Sequence, residues 1–448
     1  MKRAHTLTLT RRSGNRLRQT DGRARSLRAY WVGESTSLAG SSVHAVALPV
    51  VAVVELHATP RQVSLLAAAA TASAVVLALP AGVVGDRCAK RPLMVATDLT
   101  AAAVVATVPL CWTTGSLSMP VLYAVALLLG ALTVFHQAAS VAIVPDLVRP
   151  QDLPAAHSRI GAACAVADTA GTYGGTLVVA LAGAARALWL DALSYLVSAC
   201  CALRIAPEPA RKPQGGRPAR VMGDIREGVG YVMRDAIQRP LVLALTAYAY
   251  ADGIVTTYTA YTLLTRLNAG STGLGVVMGV TGAGGLAGAL AARRLTARFG
   301  PGRTIVAGFA AYAVCGVPLL VARPGMAWLS VLAVAGALKM AVGVAAGSTH
   351  RALRQQLCPP HLQSRAQQTA VWLASGVRPL AALSAGGIAA VCGVRTALLA
   401  GTALYLLPVA LVWLSQAGRL ATMPTTPAAS LATPASSPAT ADEEVRVH

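Results

Sequence analysis

Four ionisable residues interrupt otherwise apolar stretches of this 448-residue chain: Asp168, Asp252, Lys339 and Arg378. A charge at the centre of a bilayer-length segment costs about 2.5 to 3.5 kcal/mol on insertion scales, so each must meet a partner or a wet cavity. Two acids and two bases allow neutral pairs, Asp252 with Lys339 and Asp168 with Arg378. A carboxylate held in such a place can take up and release a proton, which makes Asp252, Asp168 and Glu34 the candidates for proton coupling, Asp252 first. Static pairing between helices would satisfy the same four charges. Glu34, less than two turns into its apolar run, suits either an entry site for a cationic molecule or an acid reaching the interface.

Other chemistries find no support. The histidines are scattered, with His44 and His136 isolated, and the eight cysteines contain no CxxC pair, so neither a zinc site nor a disulfide framework is expected. The cysteines read as small buried hydrophobes. No Gly-x-x-x-x-Gly-Lys-Ser/Thr loop is present to hold a nucleotide. No metal or cofactor is therefore expected.

The elements that must position these charges are apolar helices. The chain is 55% hydrophobic and only 12% charged, about half the roughly 25% charged share of a soluble protein. Apolar segments recur at 28–54, 63–84, 93–113, 119–143, 157–183, 186–205, 241–265, 272–292, 304–322, 326–348, 368–392 and 395–415. In a bilayer each must be helical, because no water is present to satisfy an open backbone. The expectation is an all-α integral membrane protein of twelve spans.

The formal charge of +21 would suggest nucleic acid in a soluble domain, but its distribution decides otherwise. Thirty-one Lys and Arg fall in the two tails and the even-numbered loops and five in the odd-numbered loops, which puts both termini in the cytoplasm of a multi-pass plasma-membrane protein. Residues 1–27 read as a disordered basic tail, 28–205 as a first six-helix bundle, 206–240 as a cytoplasmic central loop, 241–415 as a second bundle and 416–448 as a disordered tail. Pro150-Gln-Asp-Leu153 answers Pro359-Pro-His-Leu362 at an offset of 209 residues, an internal repeat that implies two facing bundles. Span 8 is dense in glycine, and Gly284 and Gly288, with Gly174 and Gly175 in span 5, are expected to let helices approach closely.

The loop after span 2 reads Gly82-Val-Val-Gly-Asp86-Arg87-Cys-Ala-Lys90-Arg91-Pro92. It resembles the signature loop of the major facilitator superfamily, with Ala89 in place of the second glycine and Lys90 in place of an arginine. The resemblance implies the major facilitator fold, two pseudo-symmetric six-helix bundles, and a cytoplasmic gate latch formed by Asp86, Arg87 and Arg91. Asp98, at the inner end of span 3, is expected to pair with this loop. Trp31-x-Gly33, Phe135 to Val148, Leu190-Asp191-Ala-Leu-Ser-Tyr195, Asp224-Ile-Arg-Glu-Gly228 and Leu353-Arg-Gln-Gln356 resemble the exporter group that contains enterobactin and macrolide efflux proteins. Asp191 is expected at the outer start of span 6 as a structural acid. Span 5 lacks the proline, and span 4 the arginine, that many of these exporters carry.

What these residues imply together is a secondary transporter, not an enzyme. It would export a drug, antibiotic or secondary metabolite by alternating access, in exchange for protons, as a monomer in the bilayer. A small-molecule importer of the same fold is the nearest alternative. An integral-membrane enzyme such as a lipid-linked transferase would need acids or histidines clustered at one membrane face, and here the acids are dispersed over six spans.

Overall fold

The computed structural model describes residues 2–148, 177–206, 218–359 and 362–423, with Ala163, Ala167, Gly171, Gly174 and Gly175 as separate positions between the first two stretches. Every regular element among them is helical: α1 (Lys2–Val50), α2 (Pro60–Arg87), α3 (Lys90–Thr113), α4 (Met119–Leu147), α5 (Ala184–Leu203), α6 (Pro218–Arg234), α7 (Gln238–Tyr261), α8 (Gly270–Phe299), α9 (Pro301–Val321), α10 (Met326–Leu357), α11 (Gln363–Cys392), α12 (Val394–Leu404) and α13 (Leu406–Trp413). Eleven stretches of the described residues are long and apolar enough to cross a bilayer, α12 and α13 together making the last. The remaining expected span, 157–183, lies largely outside the described residues, and Asp168 with it.

Two expected boundaries differ. The backbone is helical from Lys2 onward, where a disordered tail is expected over 1–27; only Gly14 and Gly22 interrupt that stretch of helix-compatible residues. The central segment is not all loop, because 218–234 form α6, which docks on the second bundle. Val232 is buried there, Tyr231 donates its hydroxyl hydrogen to the Leu357 carbonyl at 3.3 Å, and Glu227 pairs with Arg365 of α11.

The two halves repeat in detail. α1 ends in a π-turn over Val51–Glu55 and α7 in another over Thr262–Arg266. Each is followed by a residue in the left-handed region, His57 and Asn268, both with φ of 48° and 211 residues apart. A wide turn and then an αL residue let the next helix start antiparallel without an unpaired backbone run. Gly183 and Gly393, 210 residues apart with φ of 86° and 85°, likewise open α5 and α12. Glycine is required at those two joints, where a β-carbon would be strained.

Close helix approach follows the small residues. A β-carbon on Gly284 or Gly288 of α8 would collide with the carbonyls of Ala337 and Ala341 on α10, and one on Gly175 would come within 2.8 Å of Val43 on α1. Gly174 behaves otherwise, with nothing within 4 Å of it among the described residues. It is one position round the helix from Gly175, and only one of two adjacent residues can face a given neighbour.

The halves are sealed at the face away from the tails. One buried apolar cluster joins both, with Val51, Leu122 and Leu188 of the first half against Leu263, Leu274, Leu332 and Ala333 of the second. Tyr258 of α7 donates across the join to the Pro60 carbonyl at 3.0 Å. Towards the tail face the buried clusters belong to one half each: Tyr30, Ile143, Leu147 and Ile205 in the first, Leu241, Ile305 and Leu353 in the second. A seal between the halves at one face belongs to one of the two states an alternating-access bundle needs.

Candidate functional site

A cavity of about 640 Å³ lies between the halves, lined by α1, α2 and α7 to α11. Tyr248 and Asp252, one helical turn apart on α7, share the face that points into it. Tyr405, at the α12–α13 junction, donates its hydroxyl hydrogen to Asp252 Oδ1 at 2.9 Å. Tyr248 stands edge-on to Tyr312 with ring centroids 4.8 Å apart, and Tyr312 lies 5.4 Å from Tyr405. Lys339 Nζ sits 5.2 Å from the Tyr312 ring centroid, a cation held on a π face.

Asp252, Lys339 and Arg378 thus all line one cavity, as two charged pairs of the sequence would require, but not as ion pairs. No ion pair joins Asp252 to Lys339 among the described residues; Tyr405 occupies the carboxylate and Tyr312 carries the ammonium. Arg378 is exposed to the cavity and likewise has no ion-pair partner among the described residues, while Asp168, its expected partner, lies outside them. The tyrosine cluster has no forewarning in the composition, since aromatic residues make up only 4% of the chain. Its members come from α7, α9 and the α12–α13 junction, so only folding concentrates them.

A second cavity, of about 500 Å³, lies inside the first half and shares His44 with the central one. His136 of α4 stands between two acids here: Nε2 is 3.0 Å from Glu34 Oε1 of α1, and Nδ1 is 3.0 Å from Asp98 Oδ1 of α3. Each contact needs a hydrogen between nitrogen and oxygen. The trio therefore holds an imidazolium between two carboxylates, or a neutral imidazole with one carboxyl protonated. Asp98 is 1% exposed, and its Oδ2 has no hydrogen-bond partner among the described residues. On the far side of the same cavity His44 Nδ1 lies 3.3 Å from Oδ2 of Asp191, which is 0% exposed.

Three sequence expectations change here. His136 and His44 are not isolated, because spacing along the chain says nothing about which helices pack together. Asp98 meets His136 of α4, while the side chain of Arg87 in the basic loop lies outside the described residues. Asp191 is not at a helix start: α5 begins at Ala184 after the Gly183 joint, which carries Asp191 two turns inward.

The signature loop binds within its own half in this conformation. Lys90 Nζ meets Asp146 Oδ2 of α4 at 2.5 Å, and an Arg91 guanidinium N–H donates to the Leu203 carbonyl of α5 at 2.5 Å. Ala89 caps α3 with φ of −63°, an ordinary backbone geometry, so the missing glycine costs the turn nothing. The backbone of Gly82, Asp86 and Arg87 is the last stretch of α2, and their side chains lie outside the described residues.

A sequence model of the Major Facilitator Superfamily matches residues 30–376. Comparison with curated proteins finds no significant match. Among solved structures, the chain is similar to a variant of the nucleoside transporter NupG (TM-score 0.70, 10% identity, covering 87% of this chain and 99% of that one). It is also similar to a bacterial homologue of the human lysosomal transporter Spinster (0.63, 14% identity, 89% and 97%) and to the human organic anion transporter MFSD10 (0.58, 19% identity, 87% and 99%). At such identities the likeness shows the fold alone.

Proposed function

This chain belongs to the major facilitator superfamily, and from that premise we propose that it is a secondary transporter exporting a small organic molecule across the cytoplasmic membrane by alternating access, in exchange for protons. The observation that carries the proposal is the pairing of two cavities: a central one sealed at the face away from the tails, and beside it a buried Glu34–His136–Asp98 trio whose two contacts each need a hydrogen. His44 lines both, so proton occupancy in the first half and cargo occupancy in the centre act on one packed wall.

In the state described, the central cavity is closed by Val51, Leu263, Leu274 and Leu332. Cargo enters from the tail face, taken as cytoplasmic from the distribution of Lys and Arg. Rocking of the halves breaks the apolar seal and forms one on the opposite side, releasing cargo outward; protons then load Asp252 and the trio, and the return step carries them in. One elementary charge crossing the membrane supplies about 2.3 kcal/mol per 100 mV, and each 1.4 kcal/mol is tenfold, so one or two protons per cycle sustain accumulation of roughly fiftyfold to two-thousandfold. The resemblance of the Leu190–Tyr195 and Leu353–Gln356 segments to the enterobactin and macrolide efflux group favours export over import. The similar structures include a nucleoside transporter and an organic anion transporter, and that diversity leaves the cargo to be read from this chain's own cavity.

Everted membrane vesicles with an imposed pH gradient test the proposal. A panel of drugs and metabolites is added while an internal pH dye is followed. Transported compounds should dissipate the gradient in vesicles containing the wild-type chain and not in vesicles containing Asp252→Asn at equal expression. Undiminished proton flux in that variant removes Asp252 from the mechanism, and uptake of cargo by intact cells upon expression reverses the direction.

A further inference from the structure

A third cavity, of about 340 Å³, lies within the second half between α7, α9, α10 and α11, and shares Tyr248 and Tyr312 with the central cavity. Its polar lining is His350, Arg351, Arg354, Gln367 and Ser375. Counted along the sequence, Arg351 and Arg354 are loop charges after span 10. In the fold both lie within α10, which continues to Leu357. Arg354 is 5% exposed. One guanidinium N–H donates to Gln367 Oε1 at 2.8 Å, Nε has no hydrogen-bond partner, and no carboxylate among the described residues pairs with it. His350 offers no negative charge, since its Nε2–H donates to the Leu241 carbonyl at 3.0 Å.

A buried cation without a counter-ion is costly. The described polar residues that line the cavity with Arg354 are cationic or neutral: Arg351 one turn away, His350, and the amide and hydroxyl of Gln367 and Ser375. The central cavity continues the pattern, with Lys339 and Arg378 against the single carboxylate of Asp252 among its described lining residues. Among the described lining residues of these two neighbouring cavities, four permanent cations therefore face one acid.

We propose that Arg354 receives the anionic oxygen group of the cargo, a carboxylate or a phosphoryl or sulfonyl group, while the cargo's apolar or aromatic body lies against Tyr248 and Tyr312 in the central cavity. The inference rests on the transport function proposed above and names its substrate class: amphipathic organic anions. A planar guanidinium with a free Nε–H suits such a group, because it offers two donors side by side. The preference for an anion comes from the missing counter-ion, and the preference for an amphipathic one from the apolar and tyrosine walls that join the two cavities.

The test is equilibrium binding to the purified full-length protein in a neutral detergent, with no gradient, using 2-naphthoate and its uncharged counterpart 2-naphthamide as probes and quenching of intrinsic tryptophan fluorescence as the signal. The wild type should bind 2-naphthoate at least about tenfold more tightly than 2-naphthamide. Arg354→Gln should abolish that preference. Gln367→Leu, which removes the hydrogen bond and keeps the charge, should retain it and so controls for a purely structural role of the arginine. Equal binding of the two probes by the wild type, or an unchanged preference in Arg354→Gln, overturns the proposal. So does loss of the preference in Gln367→Leu to the same extent as in Arg354→Gln. If phosphatidylglycerol displaces bound probe while added 2-naphthoate does not, the cavity is a lipid site and the solute assignment falls. Because the measurement uses no gradient, its failure leaves proton-coupled export of another cargo standing, and failure of the vesicle experiment leaves the binding result intact.

Discussion

At the scale of single residues, the decisive feature is that His136 is clamped from both sides. Glu34 and Asp98 each take one of its ring nitrogens at 3.0 Å, so neither acid nor imidazole changes its protonation alone. We expect His136→Gln to keep a hydrogen-bonding side chain at that place and lose the proton-binding centre. Gradient-driven export should fall at least about tenfold, with counterflow exchange of cargo at equal pH on both sides nearly unchanged. Such a split separates coupling from cargo binding, and equal loss of both activities would make the trio a structural clamp instead. Asp98→Asn carries the opposite risk: with Asp98 1% exposed and its partner lost in part, a stability cost of about 3 to 5 kcal/mol is expected, read as reduced yield of folded protein. Asp252 differs in kind. The described hydrogen bond of its carboxylate comes from Tyr405, and an asparagine oxygen accepts it as well, so Asp252→Asn should express normally.

At the scale of elements, helix contacts are governed by glycine placement more than by apolar pattern. α8 rests on α10 through Gly284 and Gly288, where a β-carbon meets backbone carbonyl and not a movable side chain. Gly284→Val should cost about 1 to 3 kcal/mol through overpacking, visible as a lower thermal unfolding midpoint of the purified protein in detergent. Gly174→Ala, with open space around it, should leave the midpoint where it is. The repeated π-turns after α1 and α7 belong to this scale as well. Each widens the last turn of a helix that lines the central cavity, and the paired left-handed residues His57 and Asn268 then set the next helix going back.

At the scale of the whole molecule, charge is divided between the halves. The first half encloses Glu34, Asp98 and Asp191 with their histidines, and the second half presents Lys339, Arg378, Arg351 and Arg354 to its cavities. Protons on the trio and an anionic cargo at Arg354 would then be held by different bundles and would communicate through the wall that moves, with Asp252 on the cargo side of that wall. The orientation proposed from the basic loops is open to a direct test with two native thiols. Cys88 follows α2 at the tail face and Cys392 ends α11 at the opposite face, and both are exposed. A membrane-impermeant maleimide added to intact cells should label Cys392 and spare Cys88, with the reverse in everted vesicles. Labelling of Cys88 from outside would invert the topology and, with it, the direction of export.

The membrane-spanning helices, their number to within the span that lies outside the described residues, and the two-fold repeat were legible in the chain itself. Hydrocarbon-length apolar runs permit only helices, and the echo between Pro150–Leu153 and Pro359–Leu362 has its counterpart in paired joints at Gly183 and Gly393. That Asp252, Lys339 and Arg378 stand out was legible too, because a charge in an apolar run is conspicuous wherever it folds, and all three line the central cavity. Their partners were not. Glu34, Asp98 and His136 are tens of residues apart, and Arg354 looks like any cytoplasmic loop arginine until α10 is seen to continue past it. One-dimensional order fixes which segments enter the bilayer, since that depends on transfer free energy summed along a segment. Which faces of those helices meet depends on side-chain fit between distant segments, and that is settled only when the bundle packs.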